Sequence, residues 1–211
     1  VTMPEVVTPL WQLAILGAAS YLLGSIAFGL VVARLMGLAD LRSIGSGNIG
    51  ASNVLRTGSR TAAILTLVLD MGKGFVPVLI TAGVVGSDDA LQCAALLAFL
   101  GHVYPVWHGF QGGKGVATFF GVIAVLTPWA AGVCALIWLI MAALFRISSL
   151  AALVASLALP VVLALTGAES LLVLAFSITA LIWFRHRGNL ARLIRGTEPR
   201  ITFRSSPDRI Q

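Results

Sequence analysis

Seven apolar stretches, joined by segments that hold almost all of the charge, run the length of the chain. A helix that crosses about 30 Å of hydrocarbon needs roughly 20 predominantly apolar residues. Five stretches reach or approach that length: Leu10 to Ala33, Thr61 to Val85, Trp129 to Phe145, Ser149 to Leu165 and Ser170 to Phe184. Two more, Ala90 to Gly101 and Val116 to Leu126, are short. Composition agrees, since 58% of residues are apolar and only 10% charged, whereas soluble domains carry roughly 25% charged residues. A soluble enzyme and a disordered tail are excluded. A disulfide scaffold is excluded too, because the only cysteines, Cys93 and Cys134, both lie within apolar stretches. The expected fold is all-α: a single transmembrane domain over residues 1–211 with about seven helices, two of them short, and a tail from 199 to 211.

The charges set the expected orientation. Arg34, Arg42, Arg56 and Arg60 fall in the first joint, Lys114 in the third and Arg146 in the fifth. Arg185, Arg187, Arg192, Arg195, Arg200, Arg204 and Arg209 follow the last stretch. Glu5, Asp88, Asp89 and Glu169 occupy the alternate joints, without a single Lys or Arg. Basic loops stay in the cytoplasm, so the N-terminus is expected outside and the C-terminus inside. The net charge of +6 is therefore read as topology, and no nucleic-acid partner is expected. No basic region precedes the first apolar stretch and no A-x-A-like site follows it, so no cleavable signal peptide is expected.

Three basic-side segments are too polar and too rich in glycine to be simple turns: SIGSGNIGASNVLRTGSR (43–60), GHVYPVWHGFQGGKGVAT (101–118) and RHRGNLARLIRGTE (185–198). In the first, Gly45, Ser46, Gly47, Asn48 and Gly50 offer backbone N–H groups and a small hydroxyl to an anion. Asn53 and Arg56 are expected to share a helix face with Asn48 or its neighbours. Gly45, Gly47 and Gly50 match G-x-G-x-x-G, but no strand precedes them and no dinucleotide fold fits. In the second segment Lys114 stands among Gly112, Gly113 and Gly115, an ammonium beside flexible backbone that suits a phosphate. It is not a Walker A loop, because His108 and Gly115 occupy the required Gly and Ser/Thr positions. A topogenic charge is the plainer reading of Lys114. His102 and His108 are expected to be structural. In the third segment a helix would align Asn189, Arg192 and Arg195, while the farther arginines suit anionic lipid.

Asp70 and Lys73 lie inside the second stretch, where charge is costly and normally paired. One account is an internal ion pair with Gly72 and Gly74 permitting close helix packing; the other has Lys73 adding positive potential beneath the site. There is no G-x-S-x-G or H-E-x-x-H motif, no histidine followed five positions later by aspartate, and no metal-ligand cluster. No cofactor or metal is expected.

GSGNIGASNVLR (45–56), LDMGKG (69–74), GHVYPVWHGFQGGKGVAT and the RHRGNLARLIRGTE segment together resemble the bacterial acyl-phosphate:glycerol-3-phosphate acyltransferase family, PlsY, over nearly the whole chain in order. The resemblance implies an inner-membrane enzyme with its active site facing the cytoplasm. It would move a fatty acyl group from acyl phosphate to the sn-1 hydroxyl of glycerol 3-phosphate, giving lysophosphatidic acid and phosphate in the first membrane step of phospholipid synthesis. It also leaves room for coupling to the soluble enzyme that makes acyl phosphate. Carried over residue by residue, it implies catalytic roles for Ser46, Arg56, Lys114, His186 and Asn189. Substrate and phosphate binding would fall to Gly47, Asn48, Asn53, Gly112, Gly113 and Arg192. An acyl phosphate carries its own leaving group, so no protein nucleophile is required, and a substrate phosphate oxygen can accept the hydroxyl proton. A transporter for a phosphorylated solute would use the same cations, but its inverted repeats are not found in the sequence.

Overall fold

The computed structural model describes residues 4–201, and Arg204 and Arg209 lie outside the described residues. All seven apolar stretches are helical, and no strand occurs among the described residues. The helices are α1 (Leu10–Gly24), α2 (Phe28–Leu35), α3 (Ala51–Val54), α4 (Arg60–Val84), α5 (Asp88–Val103), α6 (Val116–Leu126), α7 (Pro128–Phe145), α8 (Ser148–Leu165), α9 (Leu172–Arg185) and α10 (Arg187–Ile194).

Lengths differ from the sequence expectation in two places. The first stretch is broken at 25–27, where the Ser25 hydroxyl donates to the Tyr21 carbonyl at 2.8 Å and so weakens the helical ladder. Across that break, Leu10–Leu35 still has the length and apolarity of a span. Ala90 to Gly101, expected to be short, belongs to an apolar segment of 21 residues, Asp88–His108. With Arg60–Val84, Pro128–Phe145 and Ser148–Leu165, five described segments are long and apolar enough to cross a membrane, or six if α9 and α10 count together across their 63° bend. Only α6 remains short, and its 11 residues rise about 16 Å, half a bilayer core.

The helices pack through small residues, as expected where the surroundings are as apolar as the interior. Ala90, Ala94, Ala95 and Ala98 of α5 are fully buried, while Ile64, Val68, Leu79 and Ile80 of α4 face outward. α1 and α5 touch backbone to backbone: a Cβ on Gly24 would meet the Ala98 carbonyl, and one on Gly101 the Tyr21 carbonyl. Gly74 and Gly121 join α4 to α6 in the same way. Gly72 faces open space, so only half of the glycine pair expected around Lys73 is used for packing.

The bundle has two polar ends. At one, the backbone N–H groups of Val7 and Thr8 donate to the Asp89 carboxylate at 3.1 and 2.9 Å, and Gln92 donates to the Ser170 carbonyl at 3.1 Å. At the other end lie the three polar segments, the α7–α8 turn and the last described residues.

Candidate active site

The first polar segment is built around a buried amide. Asn53, on the single turn of α3, donates to the carbonyls of Leu41 at 2.8 Å and Ile44 at 3.3 Å. It accepts the backbone N–H of Ser46 at 3.2 Å. Both ends of the amide are engaged and the residue is 2% exposed, so Asn53 is a strut that shapes the loop, which corrects its expected role as a direct ligand. The strut needs Gly45 at φ +54°, because a side chain there would run into Asn53 Oδ1 and the Arg56 side chain. Ser46 and Gly47 are exposed, with Gly47 at φ +66°. Asn48 precedes the helix, which starts at Ala51, so the expected shared face with Asn53 and Arg56 does not exist. Arg56 sits on the 3-10 turn Leu55–Thr57 with an exposed side chain.

The second segment differs from expectation in which N–H groups it leaves available. Gly112 N–H donates to the Val103 carbonyl at 3.2 Å and Gly113 N–H to the His102 carbonyl at 3.1 Å, closing the end of α5. They are not turned to an anion. What glycine supplies here is close approach: a Cβ on Gly113 would overlap the His102 ring, and one on Gly112 the His102 carbonyl. Two residues on, Gly115 at φ +83° starts α6 without a side-chain cap. The first-turn N–H groups of any helix lack intrahelical partners and attract anions. The backbone N–H groups left without an intrahelical partner in this segment are thus those at the N-terminus of α6, immediately beside Lys114.

The third segment closes the cluster. Lys114 Nζ donates to Asn189 Oδ1 in the first turn of α10. Asn189 Nδ2 donates to Glu198 Oε1 at 2.5 Å, and Arg192 Nε to Glu198 Oε2 at 2.7 Å. Ser149, in the first turn of α8, donates to Glu198 Oε1 at 2.7 Å. Asn189 and Arg192 therefore share the expected helix face, whereas Arg195, the third residue expected on it, lies just past the end of α10 and is exposed. His186, in the joint between α9 and α10, is 3% exposed with Nδ1 against the Ile182 carbonyl at 2.8 Å. The α3 turn reaches the same place, because Ser52 and Ser148 hydroxyls lie 3.4 Å apart.

Charge is concentrated accordingly. Burial pulls the Lys114 ammonium down to about 8; Glu198 opposes this, while Arg192, Arg56 and Arg185 add to it. Burial would raise the Glu198 carboxyl, but hydrogen bonds from Ser149, Asn189 and Arg192 together hold it below the usual carboxylate range. Three arginines and one carboxylate thus act on Lys114, which lies just before the N-terminus of α6, and the net positive charge favours anions.

Deeper in the bundle, Lys73 Nζ lies 2.9 Å from Asp70 Oδ1 and donates to the Ile26 carbonyl at 2.6 Å in the α1–α2 break. Thr118 of α6 donates to the Asp70 carbonyl at 2.9 Å. The charge of Lys73 is spent on Asp70, so of the two accounts the structural ion pair holds. Among the described residues no group of three His, Cys, Asp or Glu could hold a metal ion.

The sequence reading missed Ser149 and Arg185 and assigned no role to Glu198. Its one usable signal was a single carboxylate among the arginines of 185–200. Arg185 donates to the carbonyls of Gly112 at 2.7 Å and Gly113 at 3.2 Å.

Residues 14–196 match the family model described as glycerol-3-phosphate acyltransferase. A glycerol-3-phosphate acyltransferase of Dinoroseobacter shibae is 54% identical over 200 residues, 94% of this chain and 98% of that protein. One from Cereibacter sphaeroides (strain ATCC 17025) is 52% identical over 207 residues, 98% of each. Among solved structures, PlsY, an integral membrane glycerol 3-phosphate acyltransferase, in its glycerol 3-phosphate form superposes with a TM-score of 0.86 at 43% identity, covering 90% of this chain and 96% of PlsY. Its lysophosphatidic acid form gives 0.84 at 42% identity, covering 90% and 95%.

Proposed function

Because this chain belongs to the glycerol-3-phosphate acyltransferase family of integral membrane proteins, we propose that it acylates the sn-1 hydroxyl of glycerol 3-phosphate with acyl phosphate as donor, forming lysophosphatidic acid and inorganic phosphate. The observation that carries this reading is the meeting of Lys114, Asn189 and the uncapped N-terminus of α6, with Arg56 and Arg192 around them. Both substrates bear phosphate: the acyl donor directly on its reacting carbonyl carbon, and glycerol 3-phosphate at the end of the glycerol opposite the sn-1 hydroxyl.

In the proposed reaction the glycerol hydroxyl oxygen attacks the acyl carbonyl carbon, and the bond from that carbon to the phosphate oxygen breaks. The hydroxyl proton passes to a phosphate oxygen, and phosphate departs with the electron pair. The protein's part is orientation and charge stabilisation, each worth several kcal/mol in a preorganised site. Lys114, Arg56 and the α6 N–H groups hold phosphate. Ser46 and Asn48 line the exposed loop beside them and donate to it. Asn189 keeps the ammonium in place, and Glu198 keeps Asn189 and Arg192 in place. The direct test is phosphate release by purified protein supplied with acyl phosphate. Release that depends on glycerol 3-phosphate supports the reading, and no release, or release indifferent to it, removes it.

A pH dependence follows. The protonated ammonium is the form that binds phosphate, and with Lys114 at about 8 it is present below that pH and lost above it. kcat/KM, which reports the free enzyme, should be level through neutrality and decline above about pH 8. A profile flat to pH 10 would dissociate Lys114 from the reaction.

The reading places this end of the bundle in the cytoplasm of a bacterial inner membrane, because the arginines gather there, with membrane lipid around the helices. The soluble enzyme that makes acyl phosphate is the natural supplier of the donor. Single cysteines near Asp88 and Glu169 should react with an impermeant thiol reagent from outside, and those near Gly47, Gly112 and Gly196 only from the cytoplasm. Outside labelling at Gly47 or Gly112 would invert the topology.

A further inference from the structure

Three of the four residues from 112 to 115 are glycine, and such backbone does not hold one shape without outside partners. Within Gly112–Gly113, two N–H groups and two carbonyls need them. The N–H groups are held by the end of α5, through the Val103 and His102 carbonyls. Both carbonyls are held by one side chain: Arg185 Nη2 takes Gly112 O at 2.7 Å and Arg185 Nε takes Gly113 O at 3.2 Å. The guanidinium carbon lies 5.6 Å from the Tyr104 ring centroid, and the Tyr104 carbonyl is fixed by the Tyr21 hydroxyl at 2.7 Å. Arg185 is the last residue of α9, and Asn189 stands in the first turn of α10 beyond a 63° bend. One joint thus grips the loop twice, at the backbone before Lys114 and at its ammonium.

We infer that Arg185 is a positioning residue for Lys114 and the α6 N-terminus, its two-pronged grip on the Gly112 and Gly113 carbonyls setting where both present themselves to substrate phosphate. The inference rests on the proposed phosphate-binding role of Lys114. It requires a planar fork, because only a guanidinium offers two N–H groups at fixed spacing to adjacent carbonyls; an ammonium is a point donor. Arg187 serves as the comparison. It is also cationic and juxtamembrane, but it lies exposed over the Phe184 ring and, among the described residues, its side chain bonds the Phe184 carbonyl alone, at 3.3 Å.

The test measures kcat and KM for glycerol 3-phosphate and for palmitoyl phosphate in Arg185→Lys, Arg187→Lys, Lys114→Ala and the Arg185→Lys/Lys114→Ala pair, with membrane insertion quantified for each. Arg185→Lys should raise KM for at least one substrate roughly tenfold, whereas Arg187→Lys stays near the parent. Loss of folded protein alone lowers apparent kcat and leaves KM unchanged. Because Arg185 acts through Lys114, its substitution should add little in the Lys114→Ala background. Should Arg185→Lys fail to insert, Tyr104→Leu, which removes the ring beneath the guanidinium and no charge, should give a smaller KM rise of the same kind.

The pH profile supplies a second readout. Glu198, Arg192, Arg56, Arg185 and His186 are the ionisable groups that act on Lys114. Arg185→Gln removes one cation and should carry the alkaline limb upward, while Arg185→Lys leaves the limb where it was. An unchanged KM in Arg185→Lys beside a disabled Lys114→Ala overturns the positioning role. A Lys114→Ala enzyme of near-normal activity overturns the phosphate-binding reading itself.

Discussion

Lys114→Ala is expected to abolish most activity while the protein still inserts and folds, and Arg56→Ala is expected to do the same. A charge-assisted hydrogen bond contributes about 1.5 to 3 kcal/mol, roughly ten- to a hundredfold in rate. The loss is greater wherever the contact strengthens as charge moves onto the departing phosphate. On the proposed reading the two residues approach the same anion from different elements. Lys114 precedes the α6 N-terminus and is held by Asn189, while Arg56 stands on an exposed turn beyond the Asn53 strut. Their effects on folding should therefore be small: exposed substitutions typically stay within about 0.5 kcal/mol, and removing Lys114 leaves Glu198 still bonded to Asn189, Arg192 and Ser149. Arg56→Lys should recover part of the activity, since it restores charge but not the fork. Near-parental turnover in either alanine variant, with insertion confirmed, would remove that residue from the site.

The apolar helices were legible in the sequence because run length and charge placement depend on the solvent around the chain rather than on its tertiary contacts. Hidden were the places where one helix decides the state of another. At the break after Gly24, Lys73 of α4 takes the Ile26 carbonyl from 47 residues away. The glycines at 112 and 113 read as an anion loop, yet their N–H groups go to the end of α5, and only the fold reveals that the uncapped N-terminus lies two residues further on. Asn53 read as a ligand because a polar amide in a glycine-rich loop resembles one; its burial and three hydrogen bonds make it a strut. Glu198 drew no role because its partner Ser149 is 49 residues away, and a lone carboxylate in a basic segment has no periodicity to reveal it. Lys114, Asn189 and Arg192 stand out in the sequence as a cation or amide beside glycine on the basic side of a membrane chain, and the fold joins them through Glu198 into one hydrogen-bonded cluster.

His186→Ala is expected to cost on the order of a hundredfold, and the conservative variants reveal the cause. Histidine is the one conventional base among the candidate site residues, and a general base contributes about 10² to 10⁴ in rate. The geometry argues for a different use. One ring nitrogen is spent on the Ile182 carbonyl at 2.8 Å, and the residue is 3% exposed in the joint that carries Arg185 on one side and Asn189 on the other. Removing the ring leaves a void where α9 turns into α10 and takes one of two donors from the Ile182 carbonyl, the His186 backbone N–H remaining at 3.0 Å, and so shifts the groups that hold Lys114. On the substrate-assisted route the hydroxyl proton goes to phosphate, so a side chain that refills the joint and donates to Ile182 should restore much of the rate. His186→Asn or His186→Gln should therefore recover at least about a tenth of the parental kcat/KM, and the parent should show no acid limb at about 4, the value to which burial lowers the His186 imidazole. If both amide variants were as inactive as alanine, and the parent lost activity as pH fell through about 4, His186 would be the base and the substrate-assisted route would be wrong.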